Sequence, residues 1–375
     1  MTSSLARRLT VAFVLVSYRP DEPAGMERAV AALATGLRHI GHRALILTAA
    51  RQPEHATNVI ELTSLPIVLP SDDDTLRNTL LAHRVALANE LTFVYEQHAV
   101  DVAVYVDALW GLGRIAAAIR HRARRVLCVH VVGHRQDLVP ALAGAERVVT
   151  PSESARQDAA MAGYPTEDWQ ITPNPLLFDP EEMPRPDAAN RERLRRHGPI
   201  RCVARLGSEK GVETLLSASA LPTGRPIEIT LAAANFESAT GSQAQLRASC
   251  VAVANQVGVR ALPALRWRQV QNFLADAAVT VVPSIRETFG NVALESLSVG
   301  TPVVCFDVGN LPSLLGDGAA GVLVPRAQGA AGLWRGVREL LADPVRYAHI
   351  SGAAYCRSRN YRPTIVAQAF LKAVW

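Results

Sequence analysis

Two glutamates, Glu287 and Glu295, stand eight positions apart in the stretch SIRETFGNVALESLSVGTPVV (284–304). Paired carboxylates can serve as an acid and a base or as a clamp for a polar ligand. A buried strand, VTVV, ends at Pro283-Ser284, a short loop carries Arg286 and Glu287, and Gly290 precedes a helical pattern beginning near Asn291. The free amides and positive dipole of such a helix start form an anion site, and a glycine there lets the backbone approach closely. Glu287 is expected in the loop and Glu295 about one turn into the helix, both toward one cleft. Beside a phosphate site they suit the hydroxyls of a sugar and a ribose. They suit hydrolysis poorly, because nothing fixes a water between them. Two solvated glutamates at a helix start would show the same spacing; the tight turn GTPVV into another buried strand weighs for the clamp.

A second constellation is VARLGSEKGVETLL, with Arg205 and Lys210 on a loop that feeds a helix starting near Val212. Two cations there would neutralise a diphosphate and stabilise a departing one. The chain has 37 Arg and two Lys, so a lysine at this point marks a place where a compact ammonium is wanted. A solvated loop charge is the plain alternative. His130 ends the strand RRVLCVH, and His134 follows in HVVGH, which lacks the glutamate of the zinc motif HExxH. A lone histidine at a strand end also reads as a satisfied structural residue. The tract SDDDT (71–75) could be taken for metal-binding aspartates, but Ser71 as N-cap with an acidic first turn explains it better. No metal is assigned.

The elements that must position these residues are legible as apolar runs. VAFVLVS, RALILTA, VDVAVYVD, RRVLCVHVV and ERVVTPS alternate with helical patterns such as MERAVAALATGLRHIG. The runs are continuously apolar, as parallel strands covered on both faces should be. Strand–helix repetition of this kind implies a doubly wound α/β sheet. The stretch PNPLLFDPEEMPRPDAANRERLRRHGP reads as a linker, and a second series follows: IRCVARL, IEITLAAA, VTVVPS, TPVVCFDV and GVLVP. Two Rossmann-like halves with a cleft between them are expected. Residues 1–178 form the first domain, joined by a terminal helix at 358–375; 179–199 form the linker, and 200–357 the second domain.

Length and composition agree. At 375 residues and 49% hydrophobic, the chain has room for two cores, and no apolar run approaches the ~20 residues of a membrane span. The start, MTSSLARRLTVAFVLVSY, imitates a signal peptide but runs into Arg19-Pro20-Asp21 without a small-residue cleavage site, so it reads as a buried first strand. Five scattered cysteines without a CxxC exclude a zinc framework and fit a reducing cytoplasm. Residues 1–185 hold 18 Arg and no Lys against 21 acidic residues, a net −3; the remainder is +8. A basic second half suits an anionic ligand, and drift of surface charge would look the same. No basic cluster is interleaved with aromatics, which speaks against nucleic acid. No GxGxxG follows either leading strand, which speaks against a dinucleotide oxidoreductase.

Taken in order, AGMERAVAALATGLRHIGHRALILTA, ERVVTPSESARQDAAMAG with ITPN, ARLGSEKG, PSIRETFGNVALES and GTPVV resemble glycosyltransferase family 4 through nearly the whole chain. The resemblance implies a GT-B fold and a retaining, nucleotide-sugar-dependent enzyme. It implies that Arg205 and Lys210 hold the donor diphosphate and Glu295 the ribose hydroxyls. Glu287 would contact the donor sugar, with the amides of Thr288, Phe289, Gly290 and Asn291 nearby. Gly25 would close over the donor, His130 would lie near the transferred sugar, and the terminal helix would return to the first domain. The sequence departs from the family at Ala24-Gly25, where a double glycine is frequent, at AAANFESATG after IEITL, and at Ser313, where glutamate is common.

The expected reaction is transfer of a sugar from an NDP-sugar, with UDP favoured as nucleotide, to a soluble small acceptor. Acceptor contacts are expected from Arg19, Asp21, Glu22, Asp107, Trp110 and His134. An acidic, lysine-free first half favours a cationic acceptor such as an aminosugar or aminocyclitol, in antibiotic biosynthesis, over anionic lipid. No cofactor, nucleic-acid partner or stable membrane association is expected. A cell-envelope glycan or glycolipid glycosyltransferase, an NDP-sugar epimerase and a nonenzymatic NDP-sugar-binding protein remain the alternatives.

Overall fold

The structure is a computed structural model. It describes residues 7–20, 24–52, 57–69, 71–107, 109–183, 186–217, 224–232 and 242–375. The chain divides into two compact units. One comprises Met1–Arg19, Ala29–Pro175 and Pro363–Trp375; the other comprises Pro20–Arg28 and Leu176–Arg362.

The first unit is a parallel sheet of β1 (Thr10–Leu15), β2 (Arg43–Thr48), β3 (Val59–Glu61), β4 (Val102–Val106), β5 (Arg124–Cys128), β6 (Arg147–Thr150) and β7 (Gln170–Ile171). Their spatial order is β3-β2-β1-β4-β5-β6-β7. The winding reverses between β1 and β4, which pair in parallel with Val11 opposite Val102. All five residues of β4 are buried, as the uninterrupted apolar run requires of a strand covered on both faces. The apparent leader segment supplies β1, which lies between β2 and β4. Helix Pro363–Val374 belongs to this unit and buries Val366, Ala367, Phe370 and Val374. Phe370 stacks 6.2 Å from Phe13 of β1, and the helix start lies so close to Gly36 that a Cβ there would strike the Pro363 carbonyl.

The tract SDDDT does start a helix, Asp73–Ala82, but its N-cap is Asp72 rather than Ser71. Asp72 takes both the Thr75 amide (2.8 Å) and the Thr75 hydroxyl (2.7 Å). A carboxylate that meets two donors three residues on is the better cap, so the helix starts one position later than serine would have placed it. The other aspartates are engaged too: Asp73 accepts from the Trp110 indole (2.8 Å), and Asp74 pairs with Arg77 (2.8 Å).

The second unit is a parallel sheet of β8 (Ile200–Arg205), β9 (Ile227–Ala232), β10 (Arg260–Leu262), β11 (Val279–Val282), β12 (Val303–Phe306) and β13 (Gly321–Val324). Their order is β10-β9-β8-β11-β12-β13, so the winding reverses between β8 and β11. The stretch 179–199 is not free chain. It contains helix Ala188–His197, capped by Asp187 and buried at Arg191 and Leu194. The Arg191 guanidinium donates to Thr301 Oγ1 (2.6 Å) and to the carbonyls of Ala275 (2.6 Å) and Ala277 (3.0 Å). One planar cation thus satisfies carbonyls where the helix Trp267–Ala275 gives way to β11, which binds the charged stretch to the unit. Leu176 already lies in this unit's core and bonds to the Tyr361 carbonyl (2.9 Å), so the passage between units falls at Pro175, before the expected 178.

Candidate active site

In open parallel sheets, ligands bind beyond the carboxyl ends of the strands where the winding reverses. In the second unit those ends belong to β8 and β11, and the two constellations picked out above are the loops that follow them. β8 ends at Arg205. Ser208–Lys210 form one 3-10 turn, and Gly211, at φ 64°, admits the chain to helix Val212–Leu216. A Cβ on Gly211 would collide with the Pro283 carbonyl, and the Ile285 amide donates to the Glu209 carbonyl (2.8 Å). The two loops are therefore joined through their backbones, and a side chain at 211 would part them.

This joining brings Lys210 and Glu287 together: Nζ lies 2.8 Å from Oε2, with the Ser284 hydroxyl donating to the same oxygen at 3.2 Å. Arg205 pairs with Glu209 at 3.1 Å. The second loop is held from beneath by Gly309 and Asn310. A Cβ on Gly309, at φ 56°, would collide with the Glu287 carbonyl, to which the Asn310 amide donates at 3.2 Å. The Asn310 side chain donates to the Phe289 carbonyl (3.0 Å), and Phe289 is buried with its ring edge-on to Tyr361.

Gly290, at φ 101°, caps helix Asn291–Ser298 and so brings no side-chain acceptor to the first-turn amides. Asn291 donates its side-chain amide to the Gly25 carbonyl (3.2 Å), and a Cβ on Gly25 would come within 3.0 Å of that nitrogen. Glu295 is buried. Desolvation raises its pKa, against which Arg28 acts from 3.2 Å. Its Oε1 faces Arg28, while Oε2 has no hydrogen-bond partner among the described residues. A buried carboxylate with one oxygen neutralised and the other unmet is suited to receive hydroxyl donors.

The first unit presents a different arrangement beyond β4 and β5. Asp107 is buried at φ 65°, and its Oδ1 accepts the amides of His130 (3.3 Å) and Val131 (3.4 Å). Trp110 is also left-handed, at φ 58°, and buried. Of these two expected acceptor contacts, Asp107 gives its Oδ1 to backbone amides and Trp110 gives its indole N–H to Asp73 (2.8 Å). Asp137 supports the same turn, with Arg77 Nε at 2.9 Å and Arg114 at 3.7 Å. His130 is buried, its Nδ1 3.6 Å from Cys128 Sγ. Burial lowers its pKa to about 4, and a hydrogen bond with Asn174 only partly opposes this. The ring is therefore neutral at physiological pH. His134 is exposed at the start of helix Arg135–Gly144, and Arg19 is half-buried. Asp21 and Glu22 lie outside the described residues, as do 233–241 of the departing segment AAANFESATG. Among the described residues no group of three or more His, Cys, Asp or Glu could hold a metal.

The model of the Glycosyltransferase Family 4 matches residues 23–176, and that of the Glycosyl transferases group 1 matches 198–357. The chain belongs to the family 4 glycosyltransferases. Within this family it is similar to D-inositol 3-phosphate glycosyltransferases. The Streptomyces bingchenggensis protein is 39% identical over 112 residues, which are 28% of this chain and 24% of that protein. The Thermobispora bispora protein is 36% identical over 184 residues, 46% and 42% of the two chains. The matches thus span less than half the length of either relative. Solved structures extend the likeness in fold. Sucrose-phosphate synthase from Thermosynechococcus elongatus superposes with a TM-score of 0.77 at 20% identity, over 97% of this chain and 98% of that one. Anabaena HepE, in complex with UDP and glucose, gives 0.76 at 19% identity over 97% and 99%. The fold is GT-B.

Several residues of this family 4 chain that carry no motif of their own support the candidate site. Arg28 neutralises one oxygen of Glu295, Glu209 pairs with Arg205, and Gly309-Asn310 carry the loop of Glu287. For Gly309 and Asn310 the signal was present as a turn dipeptide after β12. For Arg28 and Glu209 nothing in local sequence distinguishes them from surface charges.

Proposed function

We propose that this chain transfers a sugar from a nucleoside-diphosphate sugar, with UDP as nucleotide, to a soluble small-molecule acceptor with retention at the anomeric carbon. The observation that carries the reading is the grouping, on the loops where the second sheet reverses, of Arg205, Lys210, a helix start without a side-chain cap and the unmet Glu295 oxygen. Two cations and a row of amides are the donors a leaving diphosphate needs, and their stabilisation of the developing charge is the dominant catalytic term. Glu295 would take the ribose hydroxyls. Glu287, already engaged by Lys210 and Ser284, is a weak nucleophile but a good orienting acceptor for the donor sugar. Retention then follows a front-face route in which the departing diphosphate oxygen accepts the acceptor hydroxyl proton as the new glycosidic bond forms. His130, neutral at pH 7, would meet a sugar hydroxyl as a hydrogen-bonding group rather than an acid. Charge on the leaving group is met by side chains and amides, so the reading calls for no metal.

The acceptor is proposed from two supports. The net −3 of residues 1–185 favours a cationic or neutral molecule, and the names of the relatives point to a cyclitol. An aminocyclitol, of the kind built into antibiotics, satisfies both; an aminosugar satisfies only the first and an inositol phosphate only the second. Product formation from a panel of UDP-sugars with aminocyclitols, aminosugars and inositol phosphate, read by proton NMR in excess EDTA, tests each part. An α-product from an α-donor is expected. An inverted anomer would overturn the front-face route, loss of activity in EDTA the metal-free one, and an isomerised donor without acceptor would make the protein an epimerase.

A further inference from the structure

Glu209 is a carboxylate placed where an anion site should tolerate none. It lies in the loop that carries Arg205 and Lys210, and its Oε1 is 3.1 Å from Arg205 Nη2. Its position is built into the backbone. The 3-10 turn Ser208–Lys210 folds the chain back after β8, and Ile285 fixes the Glu209 carbonyl from the neighbouring loop. The side chain lies over Gly207: the three heavy atoms nearest to where a Cβ would stand are both oxygens and the carboxyl carbon of Glu209. Gly207 has extended φ, 175°, so the backbone itself does not require glycine. A Cβ there would meet only the end of the Glu209 side chain, which would have to move aside. Lys210 is matched in the same way by Glu287, so both cations of the loop carry an internal anion.

We propose that Glu209 is the internal counterion of Arg205: it holds the guanidinium while no diphosphate is bound, yields it to the incoming anion, and recaptures it as the nucleoside diphosphate leaves. This rests on the reading of Arg205 and Lys210 as the diphosphate site. The geometry suits exchange. Arg205 and Glu209 are 32% and 34% exposed, so the pair is solvated enough to open at little cost, whereas the Lys210–Glu287 pair, at 20% and 13%, is more deeply set. An anion that replaces a carboxylate on Arg205 gains less than one that meets a bare cation. The device therefore lowers affinity for the diphosphate product as well as the donor and keeps release fast.

The test compares binding of inorganic pyrophosphate and of UDP, by titration calorimetry, to the wild type and to Glu209→Gln, Gly207→Ala and Arg205→Gln. Glu209→Gln should bind both probes about three- to fivefold tighter at low salt, the size of a partly exposed ion pair, with the gain fading near 1 M KCl. Turnover should show lower KM for the donor together with lower kcat and stronger inhibition by UDP, a split that mere loss of structure would not produce. Gly207→Ala, which displaces the carboxylate without removing it, should shift pyrophosphate affinity in the same direction. Unchanged or weaker pyrophosphate binding by Glu209→Gln would overturn the counterion role, while Arg205→Gln still bound the probe poorly. If Arg205→Gln bound pyrophosphate as well as the wild type, the diphosphate site itself would be misplaced.

Discussion

The loops after β8 and β11 and those after β4 and β5 all leave the carboxyl ends of parallel strands; β8 and β11 flank the reversal of winding in their sheet, and β4 flanks that of the other with β5 beside it. The second unit's loops are held by backbone contacts at glycines, Gly211 against Pro283 and Gly309 against Glu287, and present paired charges. The first unit's loops are held by side chains turned inward. Asp107 takes two amides, Trp110 bonds to Asp73, and Asp137 faces Arg77. Two of their residues, Asp107 and Trp110, adopt left-handed conformations that ordinarily favour glycine. On the proposed function, the second unit's loops would hold a diphosphate, which needs fixed donors at fixed spacing, and glycine and short loops provide them. The first unit instead stabilises one particular loop shape with a polar side-chain network.

The sharpest way to break this contrast is at Lys210. Lys210→Ala should lower kcat/KM by roughly 10²–10³-fold, the scale of losing one donor to a developing oxyanion, with the melting temperature nearly kept. Near-normal turnover would remove the second unit's claim to the charged step. Gly309→Ala attacks the same loop through its backbone. Positive φ and the Glu287 carbonyl both oppose the added methyl, at a cost of about 1–3 kcal/mol, which calorimetry should read as a melting point several degrees lower. An unchanged melting point would show that the loop does not depend on this support.

The same contrast explains what could be read from sequence. Continuous apolar runs disclose ten of the thirteen strands among the described residues, because a parallel strand buried on both faces has few polar positions to blur it. The short edge strands β3, β7 and β10 escape, since exposed or partly exposed segments of two or three residues carry no such run. Arg205, Lys210, Glu287 and Glu295 stand out in sequence because their types and spacing fall on two loops at strand ends, and the structure joins those loops through Lys210 and Glu287. Arg28 and Glu209 do not, because their meaning lies in a partner: Arg28 acts on a residue far along the chain, and Glu209 on a guanidinium that looks solvated in isolation. Arg191 was hidden for the same reason. A charged run reads as solvent-facing until the carbonyls that receive it are known.

In the first unit the buried His130 offers a test by pH. Its folded pKa, about 4, lies below the value of about 6.5 expected in the unfolded chain, so the unfolded state takes up the proton first. The stability this represents is present above pH 6.5 and is lost as pH falls toward 4. At pH 5 the loss is on the order of 2 kcal/mol relative to pH 7.5. His42, His98 and His121 are shifted in the same direction, so only the difference between variants isolates His130. Denaturant melts of His130→Gln should show a shallower fall from pH 7.5 to pH 5 by about that amount. Parallel curves would mean that the imidazole is solvated and free to protonate.

The smallest expected effect is the most specific to the first unit's network. Trp110→Phe keeps the buried ring but removes the indole N–H that reaches Asp73 at 2.8 Å. Asp73 is exposed and can turn to water, so stability should fall by only about 1 kcal/mol, within the range of one net hydrogen bond. What should move more is acceptor KM at nearly constant donor KM, because the left-handed turn at Trp110 and Gly111 loses the bond that ties it to the helix at Asp73. A rise in donor KM alone would reverse the division of labour between the two sets of loops. No change in either would reduce the Asp73–Trp110 bond to a surface detail and leave Asp107 and Asp137 as the groups that hold the turn.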